Sequence, residues 1–222
     1  MKKNSIIFPF ALMALFLVTQ LFSGCGTAPA KKDAVPVPGL TCDKEADEAL
    51  KEGRYEKSII LHEFLLKKDP DNGLAMYHMG YSYGQLGEHE NEVKCYEKAI
   101  SLGFYGSGIF FNLGMVYGEM GRFDDSVRVF KKAIEVEPGR ADNHFGLALA
   151  YQRMGLSELA EKEFKRALKL DPDDVDSNYF LGVYYAETGR RKEAEELLQK
   201  LMKIDPDNEL VTSLRLLLED KN

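Results

Sequence analysis

At 222 residues, 45% of them hydrophobic and 29% charged, the chain is long enough to bury a core as one domain or one repeat array, which excludes disorder over most of its length. A formal net charge of −7 makes nucleic acid a poor partner for its surface. The aromatic residues are all Phe and Tyr, and Gly outnumbers Pro by 19 to 8, which suits short helices with frequent glycine stops.

The first two dozen residues have the layout of an export signal: Lys2 and Lys3, an apolar run from Ile6 to Phe22, then small residues at Ser23, Gly24 and Cys25. Pro9 and Gln20 interrupt the run, so cleavage is expected rather than a retained transmembrane anchor. Phe22-Ser23-Gly24-Cys25 after Leu21 resembles the bacterial lipobox, with Phe22 standing where that motif usually has Leu. The resemblance implies that residues 1–24 are a lipoprotein signal peptide and that Cys25 is lipidated. It also implies, because no Asp follows Cys25, an outer-membrane location facing the periplasm. Two or three acyl chains at about 0.8 kcal/mol per buried methylene make such an anchor effectively permanent. Residues 26–38, with Pro29, Pro36 and Pro38, read as a flexible linker. Extended at about 3.1 Å per residue, it spans roughly 40 Å. Cys42 and Cys95 lack metal-ligand spacing and read as small apolar residues.

From Gly39 onward the chain repeats. Gly53, Gly87, Gly121, Gly155 and Gly189 are each 34 residues apart, and Ala49, Tyr83, Tyr117, Tyr151 and Tyr185 keep step four places earlier. In the third unit Phe110, Leu113, Gly114 and Tyr117 form one apolar helical face, Gly121 stops that helix, Val127, Phe130, Ala133 and Ile134 line a second, and Pro138 ends it. This period, the small residue before a Tyr, the mid-unit Gly and the closing Asp-Pro of Asp69-Pro70, Asp171-Pro172 and Asp205-Pro206 resemble the tetratricopeptide repeat. The resemblance implies an all-α, right-handed superhelical solenoid of five helix-turn-helix repeats (39–72, 73–106, 107–140, 141–174, 175–208). Leu210, Val211, Leu214, Leu217 and Leu218 share one side of a last helix in 209–222, expected to cap the stack.

In that family the first helices line a concave groove. The resemblance places Asp43, Tyr77, Phe111, Phe145 and Tyr179 at one inward position, and Asp47, Tyr81, Met115, Leu149 and Val183 at a second. Gly84 and Gly118 stand at a third. An apolar floor of several hundred Å² is the expected partner site; a superhelix curling tightly enough to cover it is the alternative. Gly84 and Gly118 leave room either for a ligand backbone or for side chains of the adjacent unit. The Lys, Asn and Arg clamp with which some relatives grip a chaperone tail is absent, and Asp43 and Asp47 would repel an acidic tail. The expected occupant is therefore an apolar or amphipathic protein segment.

His62, His78, His89 and His144 are scattered along the chain, and Glu88-His89-Glu90 is too short for a metalloprotease motif and reads as a solvated turn. Neither a catalytic constellation, a cofactor nor a metal site is expected. The junction Gly103-Phe104-Tyr105-Gly106-Ser107-Gly108 reads as a hinge that exposes Phe104 or Tyr105. The reading that follows is a membrane-tethered scaffold or adaptor in envelope assembly, similar to the lipoproteins that pilot pilus secretins. Self-association, or scaffolding of cell-wall enzymes, is the alternative.

Overall fold

A computed structural model describes residues 43–105 and 108–219. The expected signal peptide, Cys25, the linker and Cys42 lie outside the described residues, as do Gly106 and Ser107.

Eleven α-helices and no strand occur among the described residues: α1 (Lys44–Lys51), α2 (Tyr55–Lys68), α3 (Gly73–Gln85), α4 (His89–Ser101), α5 (Ile109–Glu119), α6 (Phe123–Val136), α7 (Ala141–Arg153), α8 (Ser157–Leu170), α9 (Val175–Glu187), α10 (Arg191–Ile204) and α11 (Glu209–Glu219). None of them is long and apolar enough to cross a membrane.

The glycine stops work as the spacing requires. At Gly87, with φ +74°, the amide donates to the Gly84 carbonyl at 3.0 Å, and the next amide, of Glu88, donates to Tyr83 at 2.9 Å. These two bonds satisfy carbonyls that the helix end would otherwise leave open. Gly155, with φ +74°, repeats the pattern, Leu156 donating to Tyr151 at 2.9 Å. The Tyr four places before each of these glycines thus supplies the carbonyl that closes the cap. At the opposite ends, Asp43, Asn72 and Asp174 accept backbone N–H groups and cap α1, α3 and α9, each worth about 1 kcal/mol.

Contacts divide the described residues into two compact units, one ending at Arg122 and the other beginning at Phe123, the boundary falling in the Gly turn between α5 and α6. In the first unit α1 packs on α2, α2 on α3, α3 on α4 and α4 on α5. In the second unit α6 packs on α7, α7 on α8, α8 on α9 and α9 on α10, while α11 lies against both α9 and α10.

Small residues set how closely these helices approach. A Cβ added at Gly80 would stand 2.7 Å from the Tyr96 ring, and one at Gly146 would intrude into the Phe130 ring. Tyr96, Phe130 and Phe164 are each almost wholly buried and follow one another at the repeat period. Gly182 receives Leu214 in the same way, at 2.7 Å. Val211, Leu214 and Leu218 are buried, with Leu210 and Leu217 half-buried, so the last helix is a cap whose apolar side is spent on α9 and α10.

Candidate functional site

The ten residues expected to floor a groove occupy first helices, but most are not free. Tyr81, Phe111, Met115, Phe145, Leu149 and Tyr179 are all buried, as is Gly118, while Tyr77, Gly84 and Val183 keep intermediate exposure. Among the described residues, seven of the ten are thus packed inside the fold and three keep part of their surface open.

Aromatic reach explains much of the difference. In the first unit the Tyr77 ring lies 5.7 Å from Tyr96 and 5.3 Å from Phe104, and Tyr81 meets Tyr55 edge-on at 6.3 Å. In the second, Phe145 contacts Phe164 at 5.9 Å and Phe180 at 5.7 Å, and Tyr179 meets Phe180 at 5.2 Å. Such offset and edge-on pairs add about 0.5–1.5 kcal/mol each beyond burial. These rings hold one helix pair to its neighbour. Phe104 joins this packing, whereas Tyr105 is 58% exposed and stacks on Phe110. Other large apolar residues left exposed include Ile60 and Phe64, one helical turn apart on α2.

Gly84 has a role that neither expectation named. A Cβ there would stand 2.6 Å from a Glu92 carboxylate oxygen, so the missing side chain makes room for a buried acid. His89 opens α4 rather than lying in a solvated turn, and its Nδ1 is 3.1 Å from Glu92 and 3.7 Å from Glu119. Burial pushes the Glu92 carboxyl up to about 7, with His89 opposing and Glu119 adding to the shift. A value raised above that of the unfolded chain means that the fold favours the protonated acid. This contribution is complete below about pH 4.5 and is lost as pH rises through 7. Glu92→Gln is expected to exceed the wild type in stability at pH 8 by on the order of 1–3 kcal/mol, the gap closing at pH 4.5. Urea unfolding of both proteins at the two pH values measures it.

The scattered histidines are also brought into partnerships. In the second unit His144 Nδ1 and Glu163 lie 2.8 Å apart, with Arg166 on the other carboxylate oxygen at 3.2 Å. In the first, Asp47 from α1, His62 from α2 and His78 from α3 converge. His78 Nδ1 is 3.0 Å from Asp47 Oδ1 and 3.2 Å from His62 Nε2, and His62 Nε2 is 3.6 Å from the same carboxylate oxygen. Asp43, paired with Asp47 in the sequence reading, is instead the N-cap of α1.

Ser58 beside His62 gives this cluster the outline of a hydrolytic triad, but not the chemistry. The Ser58 side chain is fully buried, and His62 Nδ1 is 2.9 Å from the Ser58 carbonyl, a contact that requires Nδ1 to carry a proton. That nitrogen is therefore unable to take a proton from the hydroxyl. The second ring nitrogen, Nε2, faces His78 and Asp47.

Register shows how unusual the cluster is. His62 occupies the place held by Tyr96, Phe130 and Phe164 in later repeats, and His78 that of Asn112, Gly146 and Phe180. At the corresponding junctions Asn112 donates to Tyr96, Phe130 covers Gly146, and Phe164 stacks on Phe180. None of those three has an imidazole or a carboxylate at these places.

Tetratricopeptide repeat profiles match residues 74–102 and 107–140 and 145–209, together more than half of the chain. Among solved structures, MamA aligns with a TM-score of 0.69 at 20% identity over 75% of this chain and 97% of that one. YrrB, described as a TPR protein with an unusual peptide-binding site, aligns at 0.64 and 23% identity over 77% and 88%. TTC0263, a thermophilic TPR protein of Thermus thermophilus, aligns at 0.60 and 23% identity over 80% and 95%. At these identities the likeness is one of fold. Comparison with curated proteins gives no match.

Proposed function

Because the chain belongs to the tetratricopeptide repeat family, whose arrays are generally non-enzymatic scaffolds for protein–protein contact, we propose that it is a lipid-anchored adaptor that positions another protein in the bacterial cell envelope. The observation that carries the reading is the tandem run of helix pairs, a fold shared with a protein described as peptide-binding. The residue pattern from Lys2 to Cys25 supports the anchor, with Cys25 as the acylated residue and the outer membrane as its place. A role in envelope assembly, such as piloting a secretin, follows from that placement.

Partner contact is assigned to the inner faces of the first helices, at Tyr77 in the first unit and Val183 in the second. Tyr81, Phe111, Met115, Gly118, Phe145, Leu149 and Tyr179 support those faces from beneath. The guest is an apolar or amphipathic segment. Glutamates at Tyr81 and Met115 would place charges in the core, so they are unsuited to testing contact.

A second reading rests on Ile60 and Phe64: an outward apolar pair on α2 would serve self-association or a partner on the opposite face. One experiment separates the two. Photoreactive residues at Tyr77, Val183, Ile60 and Phe64 are expected to give a heteromeric adduct in intact cells from the first two sites. Cys25→Ser is expected to release the protein from membranes and to abolish that adduct. Adducts from Ile60 or Phe64 alone, or full membrane recovery of Cys25→Ser, would overturn the proposal.

A further inference from the structure

We propose that Asp47, His62 and His78 form a binding site for one zinc ion, in which the carboxylate of α1, the imidazole Nε2 of α2 and the imidazole Nδ1 of α3 are the ligands.

Zinc binds nitrogen and oxygen ligands at about 2.0–2.2 Å in tetrahedral array, so neighbouring ligand atoms stand roughly 3.3–3.6 Å apart. The three edges of this cluster, 3.0, 3.2 and 3.6 Å, are close to that triangle. Little movement is needed to admit the ion, and these three groups are the one set of metal-ligating type that meets this closely among the described residues.

A ligating histidine must present an unprotonated nitrogen, and proteins secure this by having the other ring nitrogen donate to a carbonyl or carboxylate. His62 has this arrangement: its Nδ1 faces the Ser58 carbonyl at 2.9 Å, which leaves the Nε2 lone pair aimed at the other two ligands. His78 and Asp47 bring the remaining donors without backbone change, since they already touch at 3.0 Å.

Access and charge agree with the assignment. The His62 side chain is 1% exposed and that of Asp47 10%, but His78 is 17% exposed, which puts the entry side at His78. Two neutral imidazoles and one carboxylate leave a single positive charge with Zn²⁺. Magnesium and calcium, which require oxygen ligands, are disfavoured. The ion would tie α1, a helix of only eight residues, to the helices of the next two positions in the chain.

The test uses the full chain in detergent, stripped with EDTA and titrated with ZnCl₂ by calorimetry. One tightly bound ion per chain and a raised melting temperature are expected. Asp47→Asn and His78→Gln should each weaken binding by at least the roughly 10–100-fold that loss of a mere outer-shell partner brings. His89→Gln, at the other histidine–carboxylate cluster of the same unit, should bind as the wild type does. X-ray absorption of the loaded wild-type protein should show two imidazole nitrogens, and this readout does not depend on any variant folding. No uptake by the wild type, unchanged affinity in both ligand variants, loss in His89→Gln, or a shell without two imidazoles would each overturn the site.

Discussion

Phe164→Ala is expected to destabilise the second unit by about 3–5 kcal/mol, the range for removing a fully buried aromatic ring from a close-packed core. The ring is wholly inaccessible, stacks on Phe180 at an interplanar angle of 8° and lies 5.9 Å from Phe145. Its loss therefore opens a cavity bordered by α7, α8 and α9 together. In a repeat array, stability is a sum of local pairs and their interfaces, so the loss should be confined. Hydrogen exchange should accelerate across 141–187 while amides in 73–101 keep their wild-type protection. A total loss below 1 kcal/mol, or equal acceleration in both segments, would contradict this account.

Leu214→Asp is the second large effect. Leu214 is fully buried, with one methyl in the space left by Gly182 and Leu197 close by. An aspartate there must either be protonated or pull α11 away, since an unpaired buried carboxylate costs several kcal/mol. Undocking uncovers the apolar sides of α9, α10 and α11 at once. The expected result is a loss of more than about 4 kcal/mol from the second unit, rapid proteolysis within 209–219, and concentration-dependent self-association through the uncovered face. Leu214→Met, which keeps the volume, should stay within about 1.5 kcal/mol of wild type. A monomeric Leu214→Asp protein with wild-type stability would show that the last helix does not close the stack.

The helical architecture was legible because it depends on local chemistry that recurs. Each glycine four residues after a Tyr or Ala occupies a left-handed position that other residues enter at a cost, and the closing Asp-Pro pairs stop helices wherever they stand. The capping helix was legible for the same reason: leucines and a valine gathered on one side of a short helix have few other uses.

Exposure was harder to read. Register tells which way a Cβ points, but not whether a long aromatic side chain will find a neighbour. Tyr77 and Phe145 point where the periodicity requires and are then taken up by Phe104, Tyr96, Phe164 and Phe180. Gly84 was misread for the opposite reason, since the group that fills its space, Glu92, belongs to a helix whose acidic residues look uniformly solvated in the sequence. The Asp47, His62 and His78 cluster escaped because its members lie on three helices, His62 and His78 being 16 residues apart, a spacing that matches no ligand motif. A signal was nevertheless present. His62 interrupts a column that otherwise reads Tyr96, Phe130, Phe164 and Leu198, and a polar substitution in an apolar column calls for partners.

That interruption also bears on how the chain gives way under tension. A pull applied at residue 43 reaches α1 first, where the grip consists of Ala46, Ala49 and Leu50, the Glu45–Lys57 ion pair and a carboxylate with two imidazoles rather than interlocked rings. Short-range polar contacts yield over a fraction of an ångström, so the opening step in a force–extension trace should be the shallow peeling of α1, and the next helix pair should rupture at a distinctly higher force.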